Sequence, residues 1–319
     1  MKRKVPFIAA LSVLLWGCNS YDYSGDDIMG VKAVISGTIV EMSRAVDTTW
    51  EENDCIGVTC ENNINIPYKY IGNSSLFAVA DESQSIYFLG KQNHTLTAYC
   101  PYVETSAIKD GCITLETTSE KQMPEKQSGI DFLYATAEAG RSNPSVNFSF
   151  THQMSRVDFK FEGKDGFVLN DILCTLIGLK LKGTFDTTDG TAAIAENTPI
   201  QPLTSRIPAD RHMQASLILL PQDALDVALQ IEMGGKSYHK KIGSMNLKSG
   251  YIHPYTITIS ERDETIYISV TPGEVQGWTE GGRQEINTEG NKTNITDVVP
   301  GATQWGQGNS QDITSQDMR

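Results

Sequence analysis

The sequence predicts an all-β protein built from sandwiches of short strands. Runs of alternating apolar or β-branched residues recur along the chain, for example at 31–40, 54–60, 215–220 and 255–259, and such runs are typical of strands. Turn clusters that contain glycine and asparagine separate these runs, and no long stretch has the 3.6-residue period of an amphipathic helix. Many short strands joined by regular turns favour two-layer sandwich packing.

The chain begins with a predicted leader. Residues 1–4 are basic, residues 5–16 are uncharged and mostly apolar, and Gly17 precedes Cys18. The apolar stretch is shorter than the ~18 residues that a membrane span needs, so residues 1–17 are expected to be a signal peptide. The Gly17-Cys18 junction resembles a bacterial lipobox, which implies cleavage before Cys18 and lipid attachment to that cysteine. An ordinary secretory signal with a chance cysteine is the alternative.

A polar segment over residues 18–30 follows, and its three aspartates predict an acidic tether. An acidic run in this position resembles the surface-export signal of Bacteroides-type lipoproteins. The resemblance implies a lipid-anchored protein of the outer membrane that is displayed on the cell surface. Contact with the membrane is then expected only through the lipid anchor.

A change of strand phase predicts a domain boundary near the middle of the chain. Apolar residues occupy even positions from Val146 to Met154 and odd positions from Val157 to Phe161. One regular strand cannot keep both sets on the same face. Either a bulge or a passage between two packed bodies must therefore lie between Met154 and Val157.

The predicted organisation after the tether has three parts. An N-terminal sandwich covers residues 31–154, a C-terminal sandwich covers 155–278, and a flexible tail covers 279–319. The tail has six glycines and few apolar residues, so it cannot bury enough surface to fold alone. It is either a mobile extension or a donor segment that becomes ordered on a partner.

The charge of the chain excludes one class of partner. The formal net charge is -13 at pH 7, and removal of the basic leader makes the mature chain more acidic still. An acidic surface repels phosphate backbones and anionic headgroups. Nucleic acid is therefore not expected as a partner, nor is a membrane bound through charge.

Five cysteines remain after Cys18, and an odd number leaves at least one unpaired within a monomer. Cys55 and Cys60 are too far apart for a zinc knuckle and have no histidine nearby. On a regular strand these two side chains point to opposite faces. The simplest interpretation is that all five are small buried residues in strands. They are Cys55, Cys60, Cys100, Cys112 and Cys174.

The sequence lacks the motifs of the common catalytic classes, including the nucleophile elbow, the HExxH zinc motif and the P-loop. His152 shares a strand face with Phe148 and Phe150, so we expect a core histidine rather than a catalytic base. The nearest approach to a calcium loop is at 184–190, where a plain turn is the simpler interpretation. The prediction is a protein that is not an enzyme and has no cofactor or metal.

Several short segments follow one another along residues 31–278 in an order that is found in a known family. They are Ser43-Arg44-Ala45 with Trp50, then 53–58, 96–102, 131–135, 146–152 with Ser155-Arg156-Val157, then 219–222, 247–251 and Trp278. This ordered set, after a lipobox, resembles the fimbrillin family, the type V pilins and related surface lipoproteins of Bacteroidales.

The resemblance implies two tandem transthyretin-like β-sandwich domains and assembly by strand exchange. In that scheme an arginine-specific protease cuts after the first strand, and a strand of another subunit fills the groove. Here residues 31–40 would be the removable strand, Arg44 the cleavage site, and the tail a possible donor. The tail is polar and is interrupted at Pro300. A surface arginine without a switch role is the alternative for Arg44.

The expected function is a structural or adhesive subunit of cell-surface fimbriae, in a stalk, anchor or tip position. Its partners would be other fimbrial subunits, joined by donor-strand insertion, and a host or bacterial surface glycan or protein. The alternative is a lipid-anchored glycan-binding protein of a nutrient-uptake system, which would need a shared aromatic platform. The available aromatic residues are Tyr21, Tyr23, Tyr68, Tyr70, Tyr102 and Trp305.

Two triplets resemble the O-glycosylation acceptor of Bacteroides-type proteins. They are Asp47-Thr48-Thr49 and Asp186-Thr187-Thr188. Both are expected in exposed loops, with Thr48 and Thr187 as candidate attachment residues.

Overall fold

The computed structural model describes residues 29–40, 50–52, 54–72, 75–207 and 213–278. The leader with Cys18, most of the acidic tether, the segment with Arg44 and Thr48, and the tail after Trp278 lie outside these residues. Within the described part, strands dominate and the helices are single turns. The all-β fold predicted from the sequence is confirmed.

The strands of the N-terminal half lie between residues 31 and 152. They are β1 (Val31–Lys32), β2 (Val34–Ile39), β3 (Cys55–Cys60), β4 (Asn63–Ile71), β5 (Leu76–Val79), β6 (Tyr87–Phe88), β7 (Asn93–Cys100), β8 (Ile108–Lys109), β9 (Cys112–Glu116), β10 (Leu133–Gly140) and β11 (Ser145–His152).

Seven of these strands form a closed sheet. Their order is β10-β11-β2-β5-β4-β3-β7, and β7 pairs back onto β10. Val146, Phe148 and Phe150 of β11 point inwards and alternate with exposed residues, as a strand with one buried face requires. Outside the closed sheet, β1 pairs with β6.

The strands of the C-terminal half continue from residue 155. They are β12 (Ser155–Gly163), β13 (Ile172–Lys180), β14 (Lys182–Asp186), β15 (Ala192–Ile194), β16 (Ile200–Ile207), β17 (Gln214–Leu219), β18 (Gln222–Met233), β19 (Lys236–Leu247), β20 (Tyr251–Arg262), β21 (Thr265–Pro272) and β22 (Gln276–Gly277).

Two sheets of this half enclose a second core and form a β-sandwich. One sheet has the order β17-β12-β20-β21, with β22 paired to the start of β20, and the other has the order β16-β13-β18-β19. Val157, Phe159 and Phe161 of β12 point into the core between them. This packing agrees with the sandwich architecture predicted from the sequence.

The change of strand phase coincides with a passage between the two cores. β11 ends at His152 and β12 begins at Ser155. Phe150 packs in the first core, Val157 packs in the second, and Met154 between them belongs to a third cluster. A passage rather than a bulge therefore describes this segment. The division into independent domains at 31–154 and 155–278 stays a prediction.

A further sheet joins the two halves. Its order is β15-β14-β9-β8, so β9 of the first half pairs antiparallel with β14 of the second. The third cluster packs against it and includes Tyr99, Phe132, Phe185 and Trp278. The two halves thus share both a ladder of backbone hydrogen bonds and a core.

Short helices fill the connections. Among the described residues they are three 3₁₀ turns, Glu82–Gln84, Thr105–Ala107 and Ser119–Gln122, and the α-helix α1 (Pro124–Gln127). None of the helices in the described part of the chain has the length and apolar character that crossing a bilayer requires.

Candidate functional site

β2 occupies a central position in the closed sheet. It runs parallel to β11, from the pair Val34–Ser145 to the pair Ile39–Phe150. On its other side it is antiparallel to β5, where Ile35 pairs with Phe77. Both backbone edges of β2 are therefore bonded, and the sheet would open at this place if β2 were absent.

The two faces of β2 differ in burial. Ile35 is 1% exposed and Ala33, just before the strand, is 4% exposed, whereas Val34 is 48% exposed. Gly37 lies on the same inward face as Ile35 and is buried, whereas Thr38 is exposed. Only one residue in two along β2 therefore meets the core.

Three aromatic rings surround Gly37, and we call Trp50, Phe77 and Phe150 the aromatic box. The indole of Trp50 packs edge-on against Phe77 and Phe150, with ring centroids 5.1 and 5.2 Å apart. Its Nε1 donates a 2.8 Å hydrogen bond to the carbonyl oxygen of Gly37. A Cβ atom on Gly37 would lie 2.9 Å from Phe150 Cε2 and 3.3 Å from Phe77 Cε2, so a larger residue does not fit without displacing a ring.

Polar contacts hold β2 and its flanks along their length. Lys32 forms a salt bridge with Glu82, and the Ala33 amide donates to the Ile86 carbonyl at 2.9 Å. At the other end the Val40 amide donates to the Phe150 carbonyl at 2.9 Å. Residues 41–49, with the predicted cleavage site Arg44, follow directly and lie outside the described residues.

The second predicted modification site lies in the turn between β14 and β15. Thr187 is half-buried, and its hydroxyl donates a 2.8 Å hydrogen bond to the Gly111 carbonyl. Its neighbour Thr188 is exposed and donates to Asp186 Oδ1. Glycosylation of Thr187 would require its hydroxyl to leave Gly111, and it stays a prediction, as does modification of Thr48.

The segment 184–190 forms a turn whose carboxylates accept local hydrogen bonds. Asp186 Oδ1 accepts from the Thr188 amide and Asp189 Oδ1 accepts from the Thr191 amide, both at 2.8 Å. Hydrogen bonds from the backbone amide and from the side chain of Thr191 lower the pKa of Asp189. Within the described ranges, no group of three or more His, Cys, Asp or Glu side chains is arranged to hold a metal ion.

His152 lies at the junction of the two halves. Its Nδ1 is 2.9 Å from Asp131 Oδ1, and its ring stacks on Trp278 with centroids 4.1 Å apart and planes at 4°. The guanidinium of Arg156 lies 5.9 Å from the centroid of the Trp278 ring. The sequence predicted that His152 is buried, but it gave no indication that His152 contacts Trp278.

Cys55, Cys60, Cys100, Cys112 and Cys174 all lie in strands, and all are free thiols without a disulfide bond. Cys60, Cys100 and Cys174 are buried, and Cys55 and Cys112 are half-buried. Burial raises the pKa of the Cys55 thiol to about 11 and that of Cys174 to about 12. Thiols of this kind stay protonated near neutral pH and are unreactive.

Three of the tyrosines considered for a glycan platform lie in three different surroundings. Tyr68 is buried, with its hydroxyl 3.3 Å from the Ile86 amide. Tyr70 packs on Phe77 at 5.6 Å, inside the same closed sheet. Tyr102 lies in a loop and bonds Glu104 at 3.3 Å. These three residues do not form a shared exposed surface. Tyr21, Tyr23 and Trp305 lie outside the described residues.

The aromatic box is the part of the site that sequence reasoning missed. The available signal was Gly37 inside an otherwise apolar alternation, since an interior glycine in a strand often marks a close approach of another group. Nothing local in the sequence indicates that the approaching rings belong to Phe77 and Phe150.

Comparison with known proteins finds a matching family model and a similar curated protein. A family model described as fimbrillin-like matches residues 43–278. A protein of Bacteroides uniformis named "Putative fimbrium subunit Fim1C" is 27% identical over 308 residues, which cover 88% of this chain and 97% of the relative.

Two solved structures are also similar. One, described as a "putative cell adhesion protein" from Bacteroides ovatus, is 31% identical with a TM-score of 0.71, covering 80% of this chain and 100% of that one. Another, with the same description, from Bacteroides uniformis, is 22% identical with a TM-score of 0.60, covering 77% and 99%. The second similarity bears on the fold alone.

Proposed function

The chain belongs to the fimbrillin-like family, and from that premise we propose that it is a structural or adhesive subunit of cell-surface fimbriae that is joined to other subunits by strand exchange. The named relatives are fimbrial and cell-adhesion proteins rather than enzymes. One observation carries the proposal: β2 completes the closed sheet, and a single cut after Arg44 would separate β2 from the rest of the chain.

The release follows from chain order. β1 and β2 precede the other described strands, and residues 41–49 connect them to the rest of the chain. Hydrolysis of the peptide bond after Arg44 would therefore separate both strands from the body in one step. Trp50, Phe77 and Phe150 would stay with the body.

The opened sheet would need a replacement strand. Without β2, the backbone groups of β5 and β11 that face it lose their partners, and the rings of Phe77 and Phe150 are uncovered. Free strand edges next to exposed apolar residues attract another strand. A strand from a second subunit would restore both ladders and the packing, so cleavage would promote association.

The free energy that side-chain burial on β2 contributes is small enough for another strand to replace it. Ile35 is its one fully buried large side chain, and burial of such a residue contributes about 1.5–3 kcal/mol. An incoming strand that buries as much and pairs along a similar length would compete for the position on equal terms.

The proposal includes the anchor and the remaining partners. Lipid attached to Cys18 would hold the subunit at the outer membrane before cleavage, and the tail 279–319 would be its candidate donor segment. Adhesion would involve a surface glycan or protein of a host or another bacterium.

Replacing Cys18 with Ala should release the protein from the membrane fraction, because the lipid would have no attachment site. Retention of Cys18→Ala in the membrane fraction with unchanged mass would contradict the anchor.

Limited cleavage tests the exchange. An arginine-specific protease is applied to the full chain and to Arg44→Ala, with mass spectrometry to locate the cuts, because Arg206 is also exposed. Related fimbrial subunits are then added, and the oligomeric state is measured by light scattering. Only the chain cut after Arg44 should associate. A chain that is cut there, loses residues 18–44 and still stays monomeric with every related subunit would show that strand exchange is wrong.

A further inference from the structure

Resting on the strand exchange proposed above, we infer that the position of β2 selects its incoming strand. The strand must carry glycine where Gly37 lies, an aliphatic residue two positions before it and a small residue four positions before it. Such a strand comes from a different subunit and not from the tail of another copy of this chain.

The aromatic box requires glycine at the position of Gly37 in the incoming strand. A Cβ atom at this position meets Phe150 at 2.9 Å and Phe77 at 3.3 Å. Phe150 is fully buried and is held between Trp50 and Phe148, whose ring centroids lie 5.2 and 5.7 Å from its own. A buried ring with neighbours on both sides cannot move aside without disturbing the core.

The same box accepts the backbone of the strand. Trp50 Nε1 donates to the carbonyl oxygen at the Gly37 position, so the glycine is recognised both by its missing side chain and by its carbonyl group. Trp50, Phe77 and Phe150 all follow residue 49 in the chain, so the selecting residues remain after the cut.

The other inward positions define the rest of the pattern. Ile35 is 1% exposed and Ala33 is 4% exposed, so these sites accept an aliphatic and a small side chain respectively. Val34 and Thr38 face outwards and are exposed, so the strand is free to vary there. At the position of Ser36 the strand is paired on both sides, so proline is excluded there. The pattern is small, any residue, aliphatic, any residue except proline, and glycine.

The tail of this chain does not match the pattern. Among its six glycines, only Gly301 has an aliphatic residue two positions before it, which is Val299. In that register Asp297 would occupy the buried site of Ala33, where an unpaired carboxylate is strongly disfavoured. Pro300 would occupy the position of Ser36, and proline cannot donate to either neighbour of a central strand.

Peptide binding to the full chain cut after Arg44 tests the selection. Four labelled ten-residue peptides are compared: residues 31–40, the same peptide with Gly37→Ala, the same with Thr38→Ala as the matched control, and residues 295–304 of the tail. Because overpacking of a core is costly, the Gly37→Ala peptide should bind at least about tenfold more weakly than the native one. The Thr38→Ala peptide should bind within about twofold of the native one, since Thr38 is outside the core. The tail peptide should not bind measurably.

The outcomes separate the inference from the function on which it rests. If the native and Gly37→Ala peptides bind equally, strand exchange holds and the selection of glycine is wrong. If none of the four peptides binds, strand exchange is wrong and the selection with it. If the tail peptide binds as well as the native one, the need for a different subunit is overturned.

The intact chain gives a measurement that does not depend on exchange. Gly37→Ala should lower the midpoint of thermal unfolding well below that of Thr38→Ala. The loss should shrink in a Phe150→Leu background, where the smaller side chain leaves room for the added methyl group. Equal midpoints for Gly37→Ala and Thr38→Ala would remove the steric basis of the inference.

Discussion

Asn65 holds a loop against the closed sheet from a left-handed backbone position. Its φ is 55° and it is 4% exposed. Its Nδ2 donates to the Val103 carbonyl and to Thr105 Oγ1, both at 2.9 Å, and its Oδ1 accepts from the Tyr99 hydroxyl at 2.7 Å. Asparagine suits this site because it tolerates the left-handed region and satisfies buried polar groups.

Two substitutions separate these contributions. Asn65→Gly keeps the backbone conformation and loses the side-chain bonds, so it should reduce the free energy of unfolding by about 1–3 kcal/mol. Asn65→Ala loses the same bonds and adds backbone strain, for a further loss of about 1–2 kcal/mol. Urea unfolding of the two variants measures both. Equal stability of Asn65→Gly and Asn65→Ala would show that the left-handed conformation costs nothing here.

His253 is a second buried residue, and its protonation state affects the stability of the fold. Its Nε2 accepts a 3.2 Å hydrogen bond from the Lys248 amide, which only a neutral ring can do. Burial, and then the charge of Lys248, lower the pKa of His253 from 6.5 to about 4. The folded protein therefore binds fewer protons at this site than the unfolded chain does.

Stability should consequently fall in acid. The contribution of neutral His253 is fully present above pH 6.5 and is lost as the pH falls towards the folded pKa of about 4. In that window the free energy of unfolding should fall by up to about 1.4 kcal/mol per pH unit. Urea unfolding between pH 7 and pH 4 measures the slope. His253→Gln should reduce it, whereas His239→Gln, on β19, should retain it. An unchanged slope in His253→Gln would place the acid sensitivity elsewhere.

At the scale of elements, two glutamine side chains cover the edge of β17. Gln122 Nε2 donates to the Ile218 carbonyl at 2.7 Å, and its Oε1 accepts from the Ile218 amide at 2.9 Å. Gln127 Nε2 donates to the Ser216 carbonyl at 2.7 Å. A side-chain amide thus takes the place of a neighbouring peptide group, and the edge is closed to other strands.

Removing this cover should have two effects. Gln122→Ala leaves the Ile218 groups without their partner, so the free energy of unfolding should fall by about 1–3 kcal/mol. The freed edge should also raise self-association. Urea unfolding and light scattering measure the two effects. Lys121→Ala is the matched control, since Lys121 lies in the same 3₁₀ turn and is exposed. Stability and association equal to those of Lys121→Ala would show that the edge is protected by other means.

At the scale of the whole molecule, the two halves depend on each other. Phe185 of β14 is fully buried and packs on Phe132 and Tyr99 of the first half, at 4.7 and 5.8 Å between ring centroids. β14 also shares its hydrogen-bond ladder with β9. Separation of the halves would expose this cluster and two strand edges at once.

A fragment of residues 155–278 should therefore fail to fold cooperatively on its own. Removal of β9 and Phe132 leaves β14 with a free edge and uncovers Phe185. Calorimetry should show one unfolding transition for the full chain and none of comparable enthalpy for the fragment. A fragment with a sharp transition of its own would favour two independent domains with a boundary near residue 154.

Local patterns predicted the parts of the fold that depend on strand faces. Alternation around Phe148 and Val157 placed both strands and His152, and it located the change of phase between Met154 and Val157. It did not decide between a bulge and a passage at that point. The parallel pairing of β2 with β11, the ladder between β9 and β14, and the cover over Ile218 were not predictable in this way. Each of these joins segments that are distant in the chain, and a single sequence gives no periodic signal for such pairs.

The pairing of β2 with β11 has a consequence for how the molecule forms. Ser36 bonds Asn147 across 111 positions of sequence, whereas β3 and β4 are joined by a tight turn and pair locally. Contacts between distant segments form slowly because long loops must close first. We expect β2 to be the last strand to enter the sheet, and the amide of Ile35 to gain protection last in pulsed hydrogen exchange. A subunit that takes its strand from a neighbour would then repeat, with another molecule, the final step of its own folding.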